Sequence, residues 1–179
     1  VIDISDEALA AQLSIADVYM TGLGQPEQGV AAYRQVADAD QSGEAGLTAR
    51  YKLGLHYFRA DEYDAAADLF AEIVNNAPTS DTGANAQLML AKTHEKAGKL
   101  EEAERTYGAF SALHPEDAKA ALAMETRAKL LERLGNRTEA IQTRQKLVRD
   151  YGAENESREV VAMATQGLRA EGASVPEPV

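Results

Sequence analysis

Residues 84–107 read ANAQLMLAKTHEKAGKLEEAERTY, and the pattern in this stretch returns 37 residues to either side. Ala103 has counterparts in Gly29, Ala66 and Ala140. Tyr107 lines up with Tyr33, Phe70 and Arg144. Phe110 lines up with Val36, Ile73 and Leu147. Gly98, in the middle of the stretch, shares a column with Gly24, Asp61 and Gly135. Four columns in step without a gap mean stacked supersecondary units rather than one globular core.

Each unit contains two segments of helical period. Leu53, Tyr57 and Ala60 share one face in the second unit, and so do Ala66, Phe70 and Ile73. The Gly24 column separates the two segments. Glycine there suits the left-handed residue that ends a helix, and Asp61 is the exception, a residue type that tolerates it better than most. Pro78 and Pro115 end helices at the joints between units. Ser80-Asp81, Asn136 and Asn155 are candidate helix caps. The sequons at Asn136 and Asn155 are read as caps rather than as sugar sites. Helices are expected at 6–22, 26–39, 44–60, 62–77, 81–97, 99–113, 116–134, 136–150 and 156–171. The ninth holds Val161, Ala164 and Leu168 in register with the first helix of each unit, and is read as a cap over the last open face.

Composition narrows the function. The chain of 179 residues is 45% hydrophobic, ample for a core. It has no Cys, which excludes disulfides, thiolate zinc sites and cysteine nucleophiles. A net charge of −11 repels phosphate polyanions, so no nucleic-acid partner is expected. No stretch is long and apolar enough to span a membrane, and no signal peptide is visible. The first residue is Val1 rather than Met, which suggests that something preceding it was removed. Residues 173–179, ASVPEPV, read as a disordered tail.

Leu53-Gly54, Tyr57, Ala66, Phe70 and Pro78 match the pattern L-G-x2-Y…A-x3-F…P, and by it the chain resembles the tetratricopeptide repeat (TPR) family. The third unit keeps Leu90, Ala91, Ala103, Tyr107 and Pro115, with His94 in the Tyr column. The fourth keeps Ala128, Leu131, Ala140 and Leu147; the first is weakest, with Asp17 and Gly29 at small-residue columns. Arg50 stands where the family often has Trp. The period of 37 resembles a subgroup containing bacterial outer-membrane assembly lipoproteins and the periplasmic coordinator of the Tol–Pal system. That likeness points to a periplasmic or envelope setting, with the cytoplasm left open.

The resemblance implies an all-α, right-handed superhelical solenoid of four hairpins plus a capping helix. The solenoid is expected to run as one domain over residues 1–172, with repeats at 6–42, 43–79, 80–116 and 117–153 and the cap at 156–171. It further implies that first helices line a concave groove. Groove-facing positions by register are Ala11, Ser14, Val18 and Thr21; Thr48, Tyr51, Leu55, Phe58 and Arg59; Asn85, Leu88, Lys92, Glu95 and Lys96; and Leu122, Glu125, Lys129, Glu132 and Arg133. Tyr51, Leu55, Phe58 and Leu88 form an apolar patch, which marks either a docking surface or a face covered by Val1–Ile4 or by neighbouring helices. Arg59, Lys92, Lys96, Lys129 and Arg133 form a basic strip suited to a partner with carboxylates. Their place in late helical turns gives them a dipole role as well.

No catalytic constellation stands out. His56, His94 and His114 sit in unrelated parts of the repeat, with no H-E-x-x-H, no Gly-rich phosphate loop and no framed nucleophile. No cofactor or metal is expected. The reading is a non-enzymatic scaffold that binds a protein or peptide within a bacterial assembly, with a self-associating structural module as the alternative.

Overall fold

The computed structural model describes residues 5–154 and 156–179. Among these there are nine α-helices and no strand: α1 Asp6–Asp17, α2 Pro26–Ala39, α3 Glu44–Arg59, α4 Tyr63–Asn76, α5 Asp81–Lys96, α6 Leu100–Leu113, α7 Ala120–Arg133, α8 Arg137–Tyr151 and α9 Arg158–Ala170. The chain has the all-α helical-repeat fold that the period demanded. It falls into two compact units, one ending at Thr93 and one beginning at His94.

Every residue of the turn column adopts a positive φ: Gly24 at 61°, Asp61 at 60°, Gly98 at 76° and Gly135 at 81°. A fifth member was not read from the sequence. Gly172, again 37 residues on from Gly135, has φ 67° and ends α9 as the others end their helices. A left-handed residue costs an ordinary L side chain ~1–2 kcal/mol, so glycine repeats here for a backbone reason. Asp61 is the exception, and its Oδ1 accepts a hydrogen bond from the Tyr63 hydroxyl at 2.6 Å.

Two helix boundaries and one cap depart from expectation. α1 ends in a π turn over Val18–Gly22, where the Thr21 hydroxyl donates back to the Asp17 carbonyl at 2.8 Å. Such back-bonding loosens and bends a helix. α7 begins at Ala120 rather than 116, because the Asp117 carboxylate accepts from Lys119 N at 2.8 Å and closes a local turn that competes with helix. Asn136 precedes α8 but its side chain makes no capping bond, which corrects that expectation. Asn155, the other candidate cap, lies outside the described residues, as do Val1–Ile4.

Ser80 does cap α5, its Oγ accepting from Gly83 N at 2.9 Å. At the same register position α3 has Gly43, which has no side chain to offer. Asp40 supplies the carboxylate instead, accepting from Gly43 N at 2.8 Å and Gly46 N at 2.9 Å. Gly46 and Gly83 are a further repeated pair. A Cβ on Gly46 would sit 1.5 Å from the Asp40 carbonyl oxygen, and one on Gly83 1.8 Å from that of Ala77. The incoming chain crosses each helix in backbone contact.

In the first unit α2 packs against both α1 and α3, and α3 against α4. Tyr33, Val36 and Ala37 of α2 bury themselves with Leu9 and Ala16 of α1 and Ala49 and Leu53 of α3. Phe70 and Ile73 of α4 form a second cluster with Leu47, Ala66 and Ala86. Gly54 makes room for the Phe70 ring, which a Cβ would meet at 2.7 Å. In the second unit α7 packs against α6 and α8, and α9 against both α7 and α8. Ala128, Leu131 and Ala140 form the cluster at its centre. Val36, Ile73, Phe110 and Leu147, one column of the repeat, are each 0% exposed. Burying each contributes about 1.5–3 kcal/mol.

Residues 173–179 carry no helix and run beside α8. Gln145 Nε2 donates to the Ser174 carbonyl at 3.0 Å, and Val179 N donates to the Arg149 carbonyl at 3.0 Å.

Candidate functional site

The expected apolar patch lies in the first unit, on α3 and α5. Tyr51, Leu55, Phe58 and Leu88 are all half-buried. The first three pack along the edge of the Phe70 cluster. Tyr51 meets Phe70 edge-on with centroids 5.6 Å apart, and Phe58 meets Tyr63 edge-on at 5.8 Å. Each ring thus offers one side to the core and the other to solvent. Burial pushes the Tyr51 hydroxyl above its ordinary pKa, so it stays a neutral donor.

The cations gather at the rim. Lys92 Nζ lies 5.8 Å from the centre of the Phe58 ring, within cation–π reach. Arg59 is exposed and makes no ion pair among the described residues. The first unit therefore presents half-open apolar side chains bordered by positive charge.

The second unit repeats the cations without the patch. Lys96, Lys129 and Arg133 are exposed. Arg133 pairs with Glu95 at 3.4 Å and Lys129 with Glu125 at 3.7 Å. The Arg133–Glu95 pair is solvent-exposed and contributes little, while Lys129 reaches from solvent to the buried Glu125 carboxylate. Glu125 was expected to face the groove. It is instead 1% exposed, bonded to the Arg144 guanidinium at 3.1 Å, with Glu132 on the same guanidinium. The Arg in the aromatic column is a buried charge, and the carboxylates beside it are its neutralising partners rather than open sites. Burial works against its charge, but the hydrogen bonds to Glu132 and Glu125 outweigh that and raise its pKa.

Of the other positions assigned to the groove by register, Ala11, Ser14, Val18 and Thr21 are exposed and Thr48 is half-buried. Asp17, at a small-residue column, is used structurally. Burial alone would raise its pKa, but hydrogen bonds from Lys52 and Tyr33 prevail and lower it.

Arg50, in the column often held by Trp, is a buried connector. Its guanidinium donates to the Ala37 carbonyl at 2.7 Å and the Asp40 carbonyl at 3.3 Å, and pairs with Glu72 at 2.8 Å. It thereby satisfies the carbonyls where α2 ends. Among the described residues no cluster of three His, Asp or Glu could hold a metal, and no helix is long and apolar enough to cross a membrane.

A family model described as Tetratricopeptide repeat matches residues 21–81 and 88–155, most of the length of the nine helices. The chain belongs to the tetratricopeptide repeat family. Solved TPR structures share the fold at low identity. The nearly identical TPR-like repeats of a kinesin light chain-type protein from Podosopora anserina align with a TM-score of 0.64 and 19% identity, covering 91% of this chain and 89% of that one. The MamA protein aligns with a TM-score of 0.62 and 20% identity over 94% of this chain and 79% of that one. The type III secretion translocator chaperone SycD of Yersinia enterocolitica aligns at 0.55 and 17%, over 75% and 96%. No curated protein matches the sequence. TPR repeats bind protein partners, and this chain has the TPR helices on which such binding surfaces are built.

Proposed function

We propose that this TPR chain is a non-catalytic scaffold that holds an extended or helical peptide against the solvent sides of its first helices. The observation that carries the reading is Phe58: half-buried, backed by Tyr63, and faced by Lys92 at cation–π distance. A ring held this way is pre-organised to receive an apolar side chain, while Lys92 and Arg59 receive an adjacent carboxylate. Each unit offers its own stretch: Tyr51, Leu55, Phe58, Arg59, Leu88 and Lys92 in the first, and Lys96, Lys129 and Arg133 in the second. The partner is then a segment in which apolar residues alternate with Asp or Glu. The period of 37 and the style of residues 84–107 support a place in a bacterial envelope assembly.

A peptide library carrying mixed apolar and acidic positions, read by fluorescence anisotropy, tests this. Selected ligands are expected to lose binding at least tenfold with Leu55→Ala/Phe58→Ala, and to lose both affinity and salt dependence with Arg59→Glu/Lys92→Glu. The second pair is on the surface and leaves the helical circular dichroism intact. Binding unaltered by both pairs would reject this surface.

A further inference from the structure

In the second hairpin one face is covered by the first. Ala49 is 0% exposed within the Tyr33–Val36–Ala37 cluster, Leu69 packs against that cluster, and Lys52 Nζ reaches Asp17 at 2.6 Å. One period earlier, these positions are Gln12, Ala32 and Ile15. There the same face meets solvent: Ile15 is 52% exposed, Val18 52% and Leu23 56%. Three large apolar side chains lie within nine residues on α1 and its π turn. They border a shallow hollow of about 300 Å³ with Tyr19 and Ser14. A neighbouring hollow of about 360 Å³ is flanked by Gln12, Gln28 and Gln35.

The chemistry of this face selects its occupant. None of the residues lining either hollow is charged, on a chain of net charge −11. Two copies of so acidic a molecule repel, and a contact lacking carboxylates is the place where they can touch without adding close like-charge pairs. Its polar members are Ser14 and Tyr19 and, in the neighbouring hollow, three glutamines; their hydroxyls and amides both donate and accept and so can pair with their own symmetry mates. An apolar centre rimmed by self-complementary amides suits an isologous contact. In the next hairpin the equivalent positions are already a helix-packing interface, so the backbone has the right spacing for another helix. We infer that a second copy of the chain docks here, α1 against α1 across a two-fold axis, with Ile15, Val18 and Leu23 at its centre. This contact is separate from the peptide surface on α3 and α5 and does not depend on it.

Sedimentation velocity over a concentration series is the primary experiment. A monomer–dimer equilibrium is expected, weakened at least tenfold by Ile15→Glu/Val18→Glu, with the thermal melt unchanged because both side chains are already exposed. The absence of native Cys allows a second readout. Under mild oxidation Ile15→Cys or Val18→Cys should yield a disulfide-linked dimer, whereas Leu122→Cys should not; a disulfide forms only where Cα atoms come within ~7 Å. A monomer at every concentration overturns the inference. So does a dimer indifferent to the paired Glu substitutions, or one in which neither α1 cysteine links. A monomer whose Ile15→Cys resists maleimide would show that the chain covers its own face, and overturns it too.

Discussion

Glu125 and Arg144 form a buried ion pair at the two repeat positions that Tyr51 and Phe70 fill with an aromatic contact. The first pair is 74 residues on from the second, two periods of 37. One geometry therefore tolerates two chemistries, provided both partners change together. Gly167 completes the ionic version, since a Cβ there would lie 2.8 Å from the Arg144 guanidinium. Removing one partner leaves an uncompensated buried charge. Arg144→Ala is expected to cost about 3–5 kcal/mol in urea unfolding. Glu125→Tyr/Arg144→Phe together should recover more than half of that, giving a favourable coupling in a double-mutant cycle. Additive losses would show that the two positions do not form an interchangeable pair.

Arg50 anchors the end of α2 to α3. Arg50→Met keeps a side chain that the fold already houses at the equivalent Met124, which is 5% exposed. The substitution removes the hydrogen bonds to the Ala37 and Asp40 carbonyls together with the pair to the more exposed Glu72. Bonds from a charged donor contribute about 1.5–3 kcal/mol, so a loss near 2 kcal/mol in urea unfolding is expected. A loss below ~0.5 kcal/mol would mean that water serves those carbonyls equally well.

Asp61 is the one non-glycine in a left-handed column. Asp61→Gly relieves its φ of 60° while giving up only the exposed bond from Tyr63. A gain of about 0.5–1 kcal/mol is expected, and Gly98→Ala should lose about 1 kcal/mol. The melting temperatures of the two variants should therefore move in opposite directions.

His94 makes stability depend on pH. Burial lowers its pKa below 6.5, helped by the positive charges of Lys99 and Arg105 and opposed by Glu102. A group with a depressed basic pKa is neutral in the folded state and takes up its proton more readily when unfolded. Its contribution is present above the unfolded value and is lost as pH falls below 6.5. Unfolding free energy should accordingly decline on acidification from pH ~7 to pH ~5. His94→Tyr, which restores the column residue seen at Tyr57, should flatten that part of the slope. An unchanged profile would assign the acid sensitivity to other groups.

Much of the fold was legible because stacking copies one set of distances at a constant interval. Helix identities, the buried Val36 column and the left-handed turns all follow from that period. What escaped the sequence reading are contacts made by exchange between positions. Asp40 caps α3 because Gly43 cannot, and only the bend between α2 and α3 brings it close. Gly46 and Gly83 repeat at the same period, and their column was available but unread. At the proposed site, Arg59 and Lys92 are exposed. Register did not foresee that Glu125 is buried, because one substitution elsewhere, an Arg in an aromatic column, changed which side chains the interior required.

Gly172 leaves α9 through the same left-handed exit that leads from α3 into α4 and from α7 into α8. The backbone is thus already aimed along the path of a further helix, and Ser174, the register counterpart of Tyr63, stands where that helix would start. An extended run with Pro176 and Pro178 lies there instead, bonded to α8 through Ser174 and Val179. What distinguishes this joint from the earlier ones is thus the few residues after the glycine and not any change in the helix before it. Replacing those residues with the sequence of α4 should lengthen the molecule by one half-repeat without disturbing what is already stacked.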